Sequence, residues 1–322
     1  MKRGVKRTIS HLPAKGAILA LAVLALVWGK APSIAQEIKG DGAGALAGAE
    51  THRPGLDRDG IAKAFGKKGE TIDGTYKVSF PRSDLHVKVG KIPIKPGFAL
   101  TNWAGFIKSG DSAITYGDLV LLESETNPVI SKLMEYGIQT VALHNHLIYE
   151  TPRIFYVHFM GHGNEVDMAR GLKEALVITG TPLKSSPAST ETKPDMAKQI
   201  EEVLGYQGTM KDGVLHVNVP RKDVHVNRKG AEIPGNMGMN IPLNFQIAGD
   251  KAAINGDFML LAGEVSPVIK VLRENRIEVA SLHNHMLDEE PRLFFMHFWA
   301  YGDASTLAKG LKAALDQTGV KK

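Results

Sequence analysis

Two distant stretches of this chain are close to the same sequence. His144–Gly163 reads HNHLIYETPRIFYVHFMGHG and His283–Gly302 reads HNHMLDEEPRLFFMHFWAYG, with ten of twenty positions identical at an offset of 139 residues. The identical positions include three histidines, an asparagine, a glutamate and an arginine. The same offset runs on without gaps. It pairs Pro81-Arg82 with Pro220-Arg221, Asp84 and His86 with Asp223 and His225, and Gly117-Asp118 with Gly256-Asp257. It also pairs Glu125 with Glu264 and Pro128 with Pro267. A period this long marks a duplicated domain, not a solenoid unit. The polar cluster is kept in both copies while its apolar neighbours differ, which predicts two like sites, one in each repeat.

The repeats occupy residues 57–180 and 194–322, joined at 181–193 by a linker rich in Ser, Thr and Pro. At the start, Lys2, Arg3, Lys6, Arg7 and Lys15 flank the apolar run Ala17–Gly29, and Ser33-Ile34-Ala35 offers small residues for cleavage. Residues 1–35 therefore read as a secretory signal whose apolar run is too short to span a bilayer. Residues 36–56, rich in Gly and Ala, read as a loosely ordered lead-in. Over the whole chain 39 Lys+Arg face 34 Asp+Glu, but six of the basic residues and none of the acidic ones lie in 1–35. The remaining chain is close to neutral, which argues against nucleic acid as a partner and leaves no membrane anchor after cleavage. There is no cysteine, so disulfides, thiolate ligands and a catalytic Cys are excluded.

Each repeat opens with a short helix (Ile61–Phe65, Met196–Leu204) stopped by a glycine. Alternating segments follow at Tyr76–Phe80 and Leu85–Val89, repeated at Val214–Val219 and Val224–Asn227. A strand pair turns at Gly110-Asp111 and again at Gly249-Asp250. Asn127-Pro128 and Ser266-Pro267 predict helix starts, and a last helix begins at Asn164 and Asp303. The fold class is α+β: two tandem homologous domains, each a largely antiparallel sheet with packed helices.

Side chains alternate along a strand. Val141 and Leu143 are thus expected on one face, with Ala142, His144 and His146 on the other, and His158 joins those histidines from the returning strand. His283, His285 and His297 repeat the arrangement, with Val279, Leu282, Phe294 and Phe298 mostly behind them. Three imidazoles on rigid strands suit a divalent transition metal, zinc among others. Glu150 (Glu289) is a candidate ligand or general base, and Arg153 (Arg292) a candidate anion holder or simply a salt-bridge partner of that glutamate. Glu125 (Glu264) is a rival carboxylate. His86 (His225) with Asp84 (Asp223) either completes the site or forms its own pair. Asp118 and Asp257 read as turn residues after glycine. Trp103 and Trp299, with Pro242 and Met160 as counterparts, read as packing.

The HNH string is too compact for the nuclease of that name. The helices inside each repeat, and a third histidine close behind the glutamate, argue against a cupin barrel. The duplicated L-H-N-H…P-R…F…H-F signature resembles the bacterial family that includes the mycobacterial LppY and LpqO lipoproteins, an exported domain of unknown function. The resemblance implies an exported protein and no particular chemistry. Without a lipobox cysteine, this chain is expected to be periplasmic or secreted. Three functions fit the residues. The first is metal-assisted hydrolysis. The second is a non-enzymatic module for a metal, small ligand or envelope polymer. The third is a metal-free structural histidine network.

Overall fold

The computed structural model describes residues 55–184 and 191–320. The signal-like segment, nearly all of the lead-in and the middle of the linker lie outside the described residues. Each repeat forms a six-stranded antiparallel sheet. In the first the order is Glu70–Ile72, Thr75–Pro81, Thr101–Ser109, Ser112–Leu122, Ile154–Gly163, Gln139–His144. In the second it is Gly208–Lys211, Val214–Pro220, Asn240–Ala248, Lys251–Leu261, Leu293–Asp303, Glu278–His283. The α+β class, with two similar halves, is what the residues predict. The hairpins turn at Gly110 (φ 58°) and Gly249 (φ 65°), left-handed positions that favour glycine.

Alternation decides which residues meet. Tyr76, Val78, Phe80, Phe106, Leu119, Leu121, Val157 and Phe159 face Ile61, Phe65, Val129, Leu133, Leu172 and Leu176. Those partners come from the helices Arg58–Phe65, Glu123–Glu135 and Glu165–Val177. The second repeat does the same with Asp195–Leu204, Ala262–Glu274 and Ala304–Leu315. Full burial of Phe106, Phe159, Phe245 and Phe298 contributes about 1.5–3 kcal/mol per ring, against the entropy of ordering them. The opposite faces of the two sheets pack on each other: Ile107, Ile114, Tyr116, Val141 and Met160 share one core with residues of the second repeat. The layers run helix, sheet, sheet, helix. Between the sheets, Gln246 accepts from Lys95 N (2.9 Å) and donates to Pro93 O (2.7 Å), and Phe98 meets Trp299 edge-on at 6.1 Å.

Three sequence expectations need correction. The third-strand segments shrink to two-residue ladders at Lys88–Val89 and Asn227–Arg228. The middle helices start at Glu123 and Ala262, ahead of the predicted prolines. Their first turn is fixed instead by Glu125 and Glu264, whose carboxylates accept from Leu122 N (2.8 Å) and Leu261 N (2.7 Å). Leu143 and Leu282 are 51% and 47% exposed, not packed behind the histidines. They lie on edge strands, and a bulge beside Val141 turns that valine toward the other repeat.

Each glutamate cap is held by a fully buried arginine. Arg82 bonds Glu125 (2.8 Å), Asp84 (2.9 Å) and Val120 O (2.6 Å). Arg221 repeats this with Glu264 (3.0 Å), Asp223 (2.9 Å) and Met259 O. Glu125 and Glu264 also accept from Gly180 N (3.1 Å) and Gly319 N (2.6 Å), tying the end of each repeat to its middle.

Candidate metal centre

The histidines of the two repeats do not form two separate sites; they meet. Asp118 sits directly across from His158, and Asp257 from His297, while His144 pairs with Tyr156 one step along. Directly opposed residues share a face, so each repeat presents His144, His158 and Asp118, or their counterparts, to the space between the sheets. His146 and His285 enter from just beyond the strand end. Across the repeats His144 stacks on His283 at 3.9 Å, His146 lies 3.8 Å from His297, and His158 4.3 Å from His285. Within each repeat His146 stacks on Tyr156 at 3.5 Å and His285 on Phe295 at 3.4 Å. The recurrence of contacts on exchanging the repeats marks a local twofold through the cluster.

Asp118 and Asp257 are corrections to the turn reading. Both are mid-strand and buried, at 3% and 5% exposure. Asp118 Oδ2 lies 3.1 Å from His146 Nε2, and Asp257 Oδ2 3.1 Å from His285 Nε2. The clue was the repeated Gly-Asp pair within an otherwise apolar strand. The glycine has its own part: the carbonyls of Gly117 and Gly256 accept from His158 Nδ1 (3.2 Å) and His297 Nδ1 (2.7 Å). A donor bond at Nδ1 leaves Nε2 with a free lone pair aimed inward. A Cβ on Gly117 would lie 2.1 Å from Trp103 O, and one on Gly256 2.2 Å from Pro242 O, with the Phe159 or Phe298 ring also in the way. Gly117→Ala and Gly256→Ala are therefore each expected to destabilise the fold by about 1–3 kcal/mol, measurable by urea unfolding.

Several nitrogens of the cluster are bonded, among them His285 Nδ1 to Gly238 O (3.0 Å) and His146 Nε2 to His144 Nε2 (3.1 Å), but many of its polar atoms lack a partner. Among the described residues twelve buried side-chain N or O atoms have no hydrogen-bond partner, and eight belong to Asp118, His144, His158, Asp257, His283, His285 and His297. His285 Nε2 is one of them: its 3.1 Å approach to Asp257 does not make a hydrogen bond. Burial, above all, holds His158 and His285 down to about 3 and the other four imidazoles well below their usual range. Burial also raises Asp118 and Asp257 to about 6. At neutral pH the cluster is six neutral imidazoles and two carboxylates, a buried negative charge that wants a cation. Asp118, His144, His146 and His158 bring ligand atoms within 4.8 Å of one another, as do Asp257, His283 and His285, and His144, His158, His283 and His297 across the repeats. Ligands bound at about 2.1 Å to one ion stand about 3.0–3.4 Å apart, and the 3.1 Å contacts match.

The remaining candidates lie elsewhere. Glu289 pairs with Arg292 (3.2 Å) and accepts from Leu293 N (3.1 Å), holding its own turn. Glu150 reaches Ile154 N at 3.5 Å, and Arg153 lies over the Phe155 ring at 5.4 Å. Neither glutamate is bonded to a cluster histidine. Asp84, Glu125, Asp223 and Glu264 serve the buried arginines. His86 is exposed, and His225 pairs with Glu232 (2.7 Å), not with Asp223.

Fold and site together define a two-repeat protein built around one buried His/Asp cluster. The family model described as Domain of Unknown Function (DUF1259) matches residues 59–177 and 198–317, and the chain belongs to that family. Comparison with curated proteins and with solved structures gave no match. No helix among the described residues is long and apolar enough to cross a membrane.

Proposed function

We propose that this is an exported, LppY/LpqO-like metal-binding module, periplasmic or secreted, whose two repeats jointly enclose a divalent transition-metal centre. The observation that carries the reading is the gathering of seven His and Asp side chains that together hold eight unpartnered buried N and O atoms, in groups whose ligand atoms lie within 4.8 Å of one another. His144, His146 and His158 with Asp118, and His283, His285 and His297 with Asp257, are the ligands, and imidazole-rich sets suit zinc, copper, nickel or iron. Enclosure favours binding over hydrolysis. His158, His285 and His297 are at most 4% exposed, whereas hydrolysis requires an open position beside a base. A catalytic part for Glu150, Glu289, Arg153 and Arg292 would need a substrate path that brings them to the cluster.

The test is metal content by mass spectrometry on tag-free protein purified without chelators. One to two equivalents of a single transition metal are expected, lost in the His144→Ala/His283→Ala double variant. Protein that stays metal-free after incubation with zinc, copper, nickel and iron overturns the reading and leaves a structural histidine network. A third outcome, metal retained together with turnover of ester or phosphoester substrates that is lost in Glu150→Gln/Glu289→Gln, would restore hydrolysis.

A further inference from the structure

The local twofold is broken on one side of the cluster. Tyr116 stands where the second repeat has Asn255, and Trp103 where it has Pro242. Tyr116 is fully buried and touches a histidine from each repeat. Its ring stacks on His158 at 5.4 Å and tilts against His285 at 5.4 Å. Its hydroxyl is 2.9 Å from His158 Nδ1. Trp103 meets Tyr116 edge-on at 5.6 Å, and Trp103 is part-exposed. Lys77 Nζ lies 3.8 Å from the centre of the indole ring, marking that end with positive charge. The second repeat offers Asn255 instead, which donates to His146 O (2.9 Å).

Electron transfer falls off steeply with distance through saturated matter, and aromatic rings in contact shorten the effective gap. A closed centre excludes substrates but not electrons, and imidazole ligands suit copper, an ion that changes oxidation state by one electron. We propose that the centre exchanges single electrons with an external redox partner, through Trp103 and Tyr116. This rests on the metal-binding reading above. With copper as the ion, the step is Cu(II) plus one electron giving Cu(I). A one-electron reductant outside the protein supplies the electron and is itself oxidised by one. No bond is made or broken, and the two rings serve as the conducting path.

The probe is copper-loaded protein mixed with hexaammineruthenium(II) by stopped flow, following loss of the Cu(II) absorbance and EPR signal. Trp103→Leu is expected to keep its copper and its EPR spectrum but to be reduced at least an order of magnitude more slowly. Tyr116→Leu is expected to behave alike. Tyr301→Leu, an exposed aromatic on the other repeat, should match the unaltered protein. Because Trp103 is part-exposed, its replacement is the decisive variant should Tyr116→Leu lose copper or fold. Full copper content with an unchanged reduction rate in Trp103→Leu overturns the relay and leaves the metal centre standing. Failure to bind copper overturns the relay, and only failure to bind zinc, nickel and iron as well overturns the metal-binding reading.

Discussion

Taken from pH 7 to pH 4.5, the metal-free protein is expected to lose several kcal/mol of stability. The imidazoles of His158 and His285 sit at about 3 in the fold, against 6.5 when unfolded. Below pH 6.5 the unfolded chain takes up protons that the folded chain refuses, so stability falls with pH until about 3 is reached. At pH 4.5 each of these two histidines accounts for about 3 kcal/mol. His144, His146, His283 and His297 are lowered too and act with the same sign. Asp118 and Asp257 oppose them. Raised to about 6 from 3.8, they hold a proton more tightly in the fold. They return about 2 kcal/mol each by pH 4.5. Six groups against two leaves a net loss. A bound ion occupies the same lone pairs, so metal should carry the transition to lower pH. Thermal melts across this range, with EDTA and then with excess zinc, check both statements. A flat melting temperature in EDTA would contradict buried neutral histidines.

Arg82→Met and Arg221→Met are expected to destabilise the fold by about 3–5 kcal/mol each, although both lie outside the metal cluster. Each arginine is completely buried and satisfies two carboxylates and a strand carbonyl at once. Removing it leaves Glu125 or Glu264 nearly enclosed, with side chains 11% and 14% exposed. The same carboxylate caps a helix and anchors the repeat's final turn, so three elements loosen together. Adding Glu125→Gln to Arg82→Met should recover part of the loss by removing the stranded charge. Arg153→Ala, at an exposed position, should stay within about 0.5 kcal/mol. Urea unfolding of the four variants separates these cases.

The chain's own pattern made part of this legible. Strand alternation correctly put His144 and His158 on one face, because period two holds wherever a strand is regular, while His146 joins them from beyond the end of its strand. The same rule misplaced Leu143, because an edge strand has no obligatory second face and the bulge at Val141 is invisible to a strict alternation. Asp118 reads as a turn residue because Gly-Asp usually marks one; only its cross-strand neighbour, His158, gives it another meaning. Glu125 stands out as a carboxylate repeated at Glu264, but its partner Arg82 lies forty-three positions earlier. The joining of two expected sites into one cluster was the least legible feature. Nothing in either repeat states that its polar face needs the other's.

That mutual need bears on ancestry and assembly. A relative with only one repeat would expose three histidines, an aspartate and the surrounding apolar strip to water. The obvious remedy is a second copy of itself, placed by a true rotation axis where this chain has an approximate one. Single-repeat members of the family should therefore be obligate homodimers, with a symmetric centre at the axis. In this chain the linker has turned that encounter into an intramolecular one. Each half is then free to diverge, and Tyr116 and Trp103 stand opposite residues as different as Asn255 and Pro242.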